Sequence, residues 1–179
     1  TLYIEPRKLI YDKQIVFDTI QNYCKITGEN IFELPGGYSA LSDGCVLEIR
    51  GVYIILYNEE ATAHIERLNW TLAHEIGHIY LGHKSDGATE EIEAHWFAAQ
   101  LLMPEPIIYS IRPRVDHLNS NDLQGYFHVS YEAAQKRVSS LNRKWAHLNG
   151  SEEKLLVQKF EPCVQLAIQT ASIMYAMAQ

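Results

Sequence analysis

Cysteine is scarce in this 179-residue chain: Cys24, Cys45 and Cys163 make an odd count, and no two of them have CxxC spacing. That argues against a disulfide framework, and three reduced thiols in a cytosolic protein are expected. Basic residues are also in deficit, 15 Lys and Arg against 22 Asp and Glu, for a net charge of -7. Phosphate binding needs a local excess of Lys and Arg, so wholesale nucleic-acid binding is not expected, although a local basic patch stays open. Long hydrophobic runs are missing too. The longest apolar stretch, Cys163 to Ala178, is broken by Gln165 and Gln169 and is too short to span a bilayer. Thr1 to Lys8 carry Glu5, Pro6, Arg7 and Lys8, with no apolar run after them, so no signal peptide is expected. The expectation is a soluble cytoplasmic protein with no membrane partner.

What is present fits an ordinary globular protein, with 47% apolar and 21% charged residues. The length suits one domain, or one domain with a small appendage. Leu9, Ile10, Ile15, Val16, Ile20, Tyr23 and Cys24 recur at helical spacing and predict a helix from about Pro6 to Ile26, stopped near Gly28. Pro35-Gly36-Gly37 reads as a turn. Tyr38 to Leu41, Cys45 to Arg50 and Val52 to Tyr57 read as strands, the last two joined tightly at Arg50-Gly51. A long helix is expected from about Ala63 to Leu81, with Gly82 as its C-cap. Another follows from about Glu90 to Met103, ended by Pro104 and Pro106. Asn121 to Phe127 and Ser130 to Trp145 read as short helices, and Glu152 to Gln179 as a helical tail interrupted at Pro162.

The chemistry lies in the first long helix, which carries His74-Glu75-Ile76-Gly77-His78. Residues four apart sit about 40° apart around a helix, so both imidazoles reach one metal ion. Glu75 is about 60–100° to the side, where it can take a proton from a water the ion activates without being a ligand. Zinc lowers the pKa of such a water toward about 7. With 8 His and 16 Glu in the chain, roughly 0.03 accidental HExxH matches are expected. Trp70, Leu72, Ala73, Ile76, Ile79, Tyr80 and Leu81 make the helix apolar on nearly all sides. Two histidines and a glutamate buried in such a helix need partners, and a metal supplies them.

Catalytic zinc usually has three protein ligands. A pattern HExxHxxGxxH would need Gly at 81 and His at 84, where the chain has Leu81 and Lys84. His83 would sit about 140° round from His78 on a continued helix, and a surface histidine beyond the Gly82 cap is preferred. Glu90, Glu91 and Glu93 offer a better choice. The apolar stripe of their helix is Ala94, Phe97, Ala98, Leu101 and Leu102. Glu91 lies at its edge facing inward, Glu93 sits about 200° away toward water, and Glu90 is at the helix start. Glu91 is therefore the choice. His95, four residues on, shares its face as an outer-shell group or alternative ligand.

Thr71-Leu72-Ala73-His74-Glu75-Ile76-Gly77-His78, followed by Glu91-Ile92-Glu93-Ala94-His95-Trp96-Phe97-Ala98-Ala99-Gln100-Leu101-Leu102-Met103-Pro104, resembles the ImmA/IrrE family of metallopeptidases. That family's pattern is roughly TLAHELGH and then E-x-E-A-N-x-F-A-x-x-L-L-M-P. The resemblance implies a gluzincin-like Zn2+ site with His74, His78 and Glu91 as ligands and Glu75 as catalytic base. The family often has Asn where this chain has His95. It further implies an anti-repressor of phage or mobile-element type, whose substrate is a helix-turn-helix transcriptional repressor.

Leu123 to Leu141 resembles a helix-turn-helix, with Phe127-His128-Val129-Ser130 at the turn. Residues 112–147 are net +3, leaving -10 elsewhere. Lys136, Arg137, Arg143 and Lys144 are the candidates for DNA or partner contact, but packing as an integral part of the fold is preferred over direct DNA binding. Tyr80, Tyr109, Tyr126 and His128 are weak candidates to stabilise an oxyanion. The expected fold is α+β and mainly helical, with a small N-terminal sheet packed on the HExxH helix, then a helix-turn-helix-like bundle and a helical tail. The expected division is a metallopeptidase domain at 1–112 and a C-terminal helical region at 113–179. The leading expectation is a zinc endopeptidase. The alternative is a non-catalytic or weakly catalytic zinc-binding regulator acting through protein or DNA contact.

Overall fold

The computed structural model describes residues 2–34, 43–85, 87–141 and 150–177. The expected turn at Pro35 and strand at Tyr38 to Leu41 lie outside them. The described architecture is α+β and mainly helical, with one three-stranded sheet. The chain divides into two compact units, one of residues 5–98 and the other of residues 1–4 with 99–179.

The first unit is built on the sheet. Strand β1 is Ile15–Thr19, helix α1 is Ile20–Thr27, and strands β2 and β3 are Gly44–Ile49 and Val52–Tyr57. The sheet order is β1-β3-β2, with β1 parallel and β2 antiparallel to β3. Arg50 and Gly51, with φ of 53° and 81°, make the tight hairpin expected from the sequence. The expected single helix from Pro6 to Ile26 is corrected. Only Ile20–Thr27 is α-helical, capped by the Thr19 side chain and stopped by Gly28 in the left-handed region. Ile15 to Thr19 is a strand because its residues pair along β3, from Ile15 opposite Tyr53 to Thr19 opposite Tyr57. That ladder, and partial burial of Ile15 and Phe17 on one face, outweigh the helical spacing.

Strand alternation gives the sheet two apolar faces. Leu47 and Leu56 face Ile20 and Leu34 on one side. On the other, Ile55 packs with Leu68, Leu72, Ile76 and Ile79 of α2, the helix Ile65–Leu81. Ile55, Leu72 and Ile76 are fully buried, each worth about 1.5–3 kcal/mol. The N-terminal segment clamps the end of α2. Lys13 donates to the Ile79 carbonyl at 2.9 Å and lies against the rings of Tyr53 and Tyr80. Helix α3, Ala88–Leu102, completes the frame of the site.

The second unit holds α4 (Glu105–Ile111), α5 (Ser120–Phe127), α6 (Tyr131–Leu141) and α7 (Ser151–Met177). Helix α4 has no counterpart among the elements expected from the sequence. Pro104 and Pro106 signal a helix stop, yet proline at the first helical positions also starts a helix. Asn119 and Asp122 form a capping box on α5, and the Ser130 hydroxyl accepts from the Ala133 amide at the start of α6. The expected interruption at Pro162 is absent: α7 runs through it, with Pro162 exposed and Val164 buried. Packing of α7 on α4 offsets the one backbone bond that proline forfeits. No described helix is long and apolar enough to cross a membrane.

Candidate metal centre

The site lies within the first unit. The turn spacing of α2 puts His74 and His78 on one face, their Nε2 atoms 3.0 Å apart. Helix α3 brings Glu91 to them, with Oε2 3.3 Å from His74 Nε2 and Oε1 3.4 Å from His78 Nε2. The approach of the helices depends on Gly77. A Cβ there would meet Phe97 Cβ at 3.1 Å and both Cα and O of Ala94 at 3.2 Å. The bare glycine beside His78 therefore sets how close Glu91, three residues before Ala94, can come.

Three donor residues held this way suit a metal. Zinc bonds of about 2.0–2.1 Å in a tetrahedron leave ligand atoms roughly 3.3–3.4 Å apart. The contacts of 3.3 and 3.4 Å, made by the two separate oxygens of Glu91, and the somewhat shorter 3.0 Å between the imidazole nitrogens lie close to that spacing. Among the described residues, His74, His78 and Glu91 form the group able to hold an ion. Burial first, then the nearby imidazoles of His95, His78 and His83, push the His74 pKa down to about 3. The ring is thus neutral at physiological pH, as a ligand must be. Nitrogen and oxygen donors without sulfur fit zinc of the catalytic rather than the structural kind.

Glu75 is the buried acid of this helix, 9% exposed. Its stem runs close to β2, where a Cβ on Gly44 would lie 3.5 Å from Glu75 Cγ. His95 is exposed, with its ring 4.5 Å from that of His74 and 6.1 Å from Trp70. It flanks the donors and stands outside the converging group.

Two expectations about nearby residues are corrected. His83 is not a surface histidine: its side chain is 7% exposed, and its Nδ1 lies 3.0 Å from His78 Nδ1. The helical-wheel position misleads because Gly82, at φ 72°, turns the chain back over the helix end. Arg137 is not a DNA contact. Its guanidinium is 1% exposed and donates to the Met103 carbonyl, Gln100 and Glu105, all in its own unit. Lys136 is exposed and pairs with Glu132 at 2.7 Å. Arg143 and Lys144 lie outside the described residues.

Of the oxyanion candidates, Tyr80 donates its hydroxyl to Asp12 at 2.5 Å and stacks on Phe97. Tyr109, Tyr126 and His128 belong to the second unit, where His128 meets the Tyr3 ring edge-on. Sequence reasoning missed the Glu93 contact with His83, 3.1 Å from carboxylate to Nε2. The signal available for it was the pair of Gly82 and His83 at the end of α2.

A family model described as the IrrE N-terminal-like domain, Peptidase_M78, matches residues 24–139. No curated protein and no solved structure matches the chain.

Proposed function

The chain belongs to the IrrE N-terminal-like family of peptidases, and on that premise we propose that it is a zinc-dependent endopeptidase acting on a helix-turn-helix transcriptional repressor. Family membership supports metallopeptidase activity in general. The observation that carries the reading for this chain is the convergence of His74, His78 and Glu91 within 3.0–3.4 Å. A zinc ion held there would acidify a water and polarise a peptide carbonyl.

The residues then divide the work. His74 and His78 offer neutral ring nitrogens, and Glu91 offers a carboxylate that offsets part of the positive charge. Glu75 follows His74 directly and is not needed as a ligand. Its carboxylate receives the proton of the attacking water and passes it to the leaving amide nitrogen. The burial of Glu75 limits the water that competes for that proton. Action on a repressor rests on the family resemblance, and a cytoplasmic location accords with such a target.

The test is incubation of the protein, wild type and Glu75→Gln, with the repressor encoded beside its gene. The reading expects discrete cleavage by the wild type. It expects a loss of about 10²–10⁴-fold in Glu75→Gln, the usual worth of a positioned acid–base group. Equal cleavage by both forms would reject Glu75 as the base.

A further inference from the structure

We propose that His83 and Glu93 form a positioning relay that holds His78 in the tautomer and orientation needed to bind the metal. The inference rests on the metal-site reading above and extends it to two residues outside the converging donors. The relay is built from a helix end and a neighbouring helix. Gly82 and His83 close α2: the amides of both donate to the His78 carbonyl, the His83 bond being 3.1 Å. That reversal, typical of left-handed helix caps, lays the His83 ring back over His78 with centroids 4.9 Å apart. Glu93, two residues beyond Glu91 on α3, meets the far side of the His83 ring.

Only one direction of hydrogen bonding satisfies the chain. His78 must keep the Nε2 lone pair for the metal, so its proton sits on Nδ1. Nδ1–H then donates to His83 Nδ1, 3.0 Å away. His83 therefore carries its own proton on Nε2 and donates it to Glu93 Oε2 at 3.1 Å. The carboxylate polarises the series and makes His78 a better donor to the ion, the usual effect of an outer-shell acid on a ligating histidine. His74 has no equivalent: its buried Nδ1 meets no hydrogen-bond partner among the described residues. The two ligand histidines are thus supported differently, and His78 is the one held from behind. Glu93 is 55% exposed, so it can be removed without opening the core.

The test uses the full chain as wild type, His83→Leu, His83→Gln, Glu93→Ala and the double variant His83→Leu/Glu93→Ala. Zinc affinity is read by competition with a chromophoric chelator. Long-range proton–nitrogen NMR of the zinc-loaded wild type reads the tautomers. Expected are a zinc dissociation constant about 10–100-fold weaker in His83→Leu and partial recovery in His83→Gln, whose amide can both accept and donate. Glu93→Ala should also weaken binding, and the double variant should be no worse than His83→Leu alone, because Glu93 acts through His83. The NMR should place the proton of His78 on Nδ1 and that of His83 on Nε2. Affinities within about twofold of a zinc-binding wild type, additive losses in the double variant, or a His83 proton on Nδ1 would overturn the relay and leave the metal centre standing. A wild type that binds no zinc would overturn both.

Discussion

A carboxylate and two imidazoles approach one another to 3.0–3.4 Å at the first long helix of this chain, and a buried glutamate directly follows the first of those imidazoles in sequence. At this scale metal holding and proton transfer fall to different residues. Glu91→Ala is expected to weaken zinc binding, whereas Glu75→Gln is expected to keep the metal and lose turnover. Metal analysis beside a cleavage assay distinguishes the two. Burial, then the neighbouring Tyr80, pushes the Tyr11 phenol up to about 12 from its ordinary 10, while its hydroxyl donates to the Pro6 carbonyl at 2.6 Å. The sign follows. A pKa raised in the folded state adds stability below pH 10 that disappears as the pH climbs toward 12. The urea midpoint should fall across that window, and Tyr11→Phe should flatten the fall. An unchanged slope in Tyr11→Phe would assign the alkaline loss elsewhere. The converging trio His74, His78 and Glu91 was legible in the sequence because HExxH spacing and a helical face are local properties. His83 was not legible, because its direction is set by a left-handed turn that no periodicity records.

Elements are held at working distance by small residues. Gly77→Ala would drive a methyl into Ala94 and Phe97, moving α3 and Glu91 away from the histidines. A destabilisation of about 1–3 kcal/mol is expected, with weaker zinc binding. Gly125 on α5 is the control, since a methyl added there would meet nothing within 4 Å. Gly125→Ala should stabilise by up to about 1 kcal/mol and leave zinc binding alone. Denaturant unfolding and chelator competition on both variants check the contrast. Equal effects at the two sites would contradict the proposed role of the α2–α3 contact. Helices α2, α3, α5 and α6 were visible in sequence because cap residues and apolar stripes mark them. Strand β1 was not, since its five residues take their conformation from pairing with β3, more than thirty positions away. Helix α4 was hidden by prolines that end one helix and begin the next.

Across the whole molecule, charge is a poor guide to role. The basic segment 112–147 includes Arg137, whose charge is consumed inside its own unit by two backbone contacts to Met103 and by Glu105. Arg137→Leu should destabilise the protein by about 3–5 kcal/mol, because it leaves Glu105 and the Met103 carbonyl without that partner. Lys136→Ala, on the surface, should change unfolding little. The family match, at 24–139, reaches from the first unit into the second. The central claim is that one zinc ion is held by His74, His78 and Glu91, and zinc content per chain tests it most directly. Measured in the purified protein and in His74→Ala/His78→Ala, it should be about one ion in the first and none in the second. Zinc retained by the double variant, or none bound by the wild type, would contradict the account.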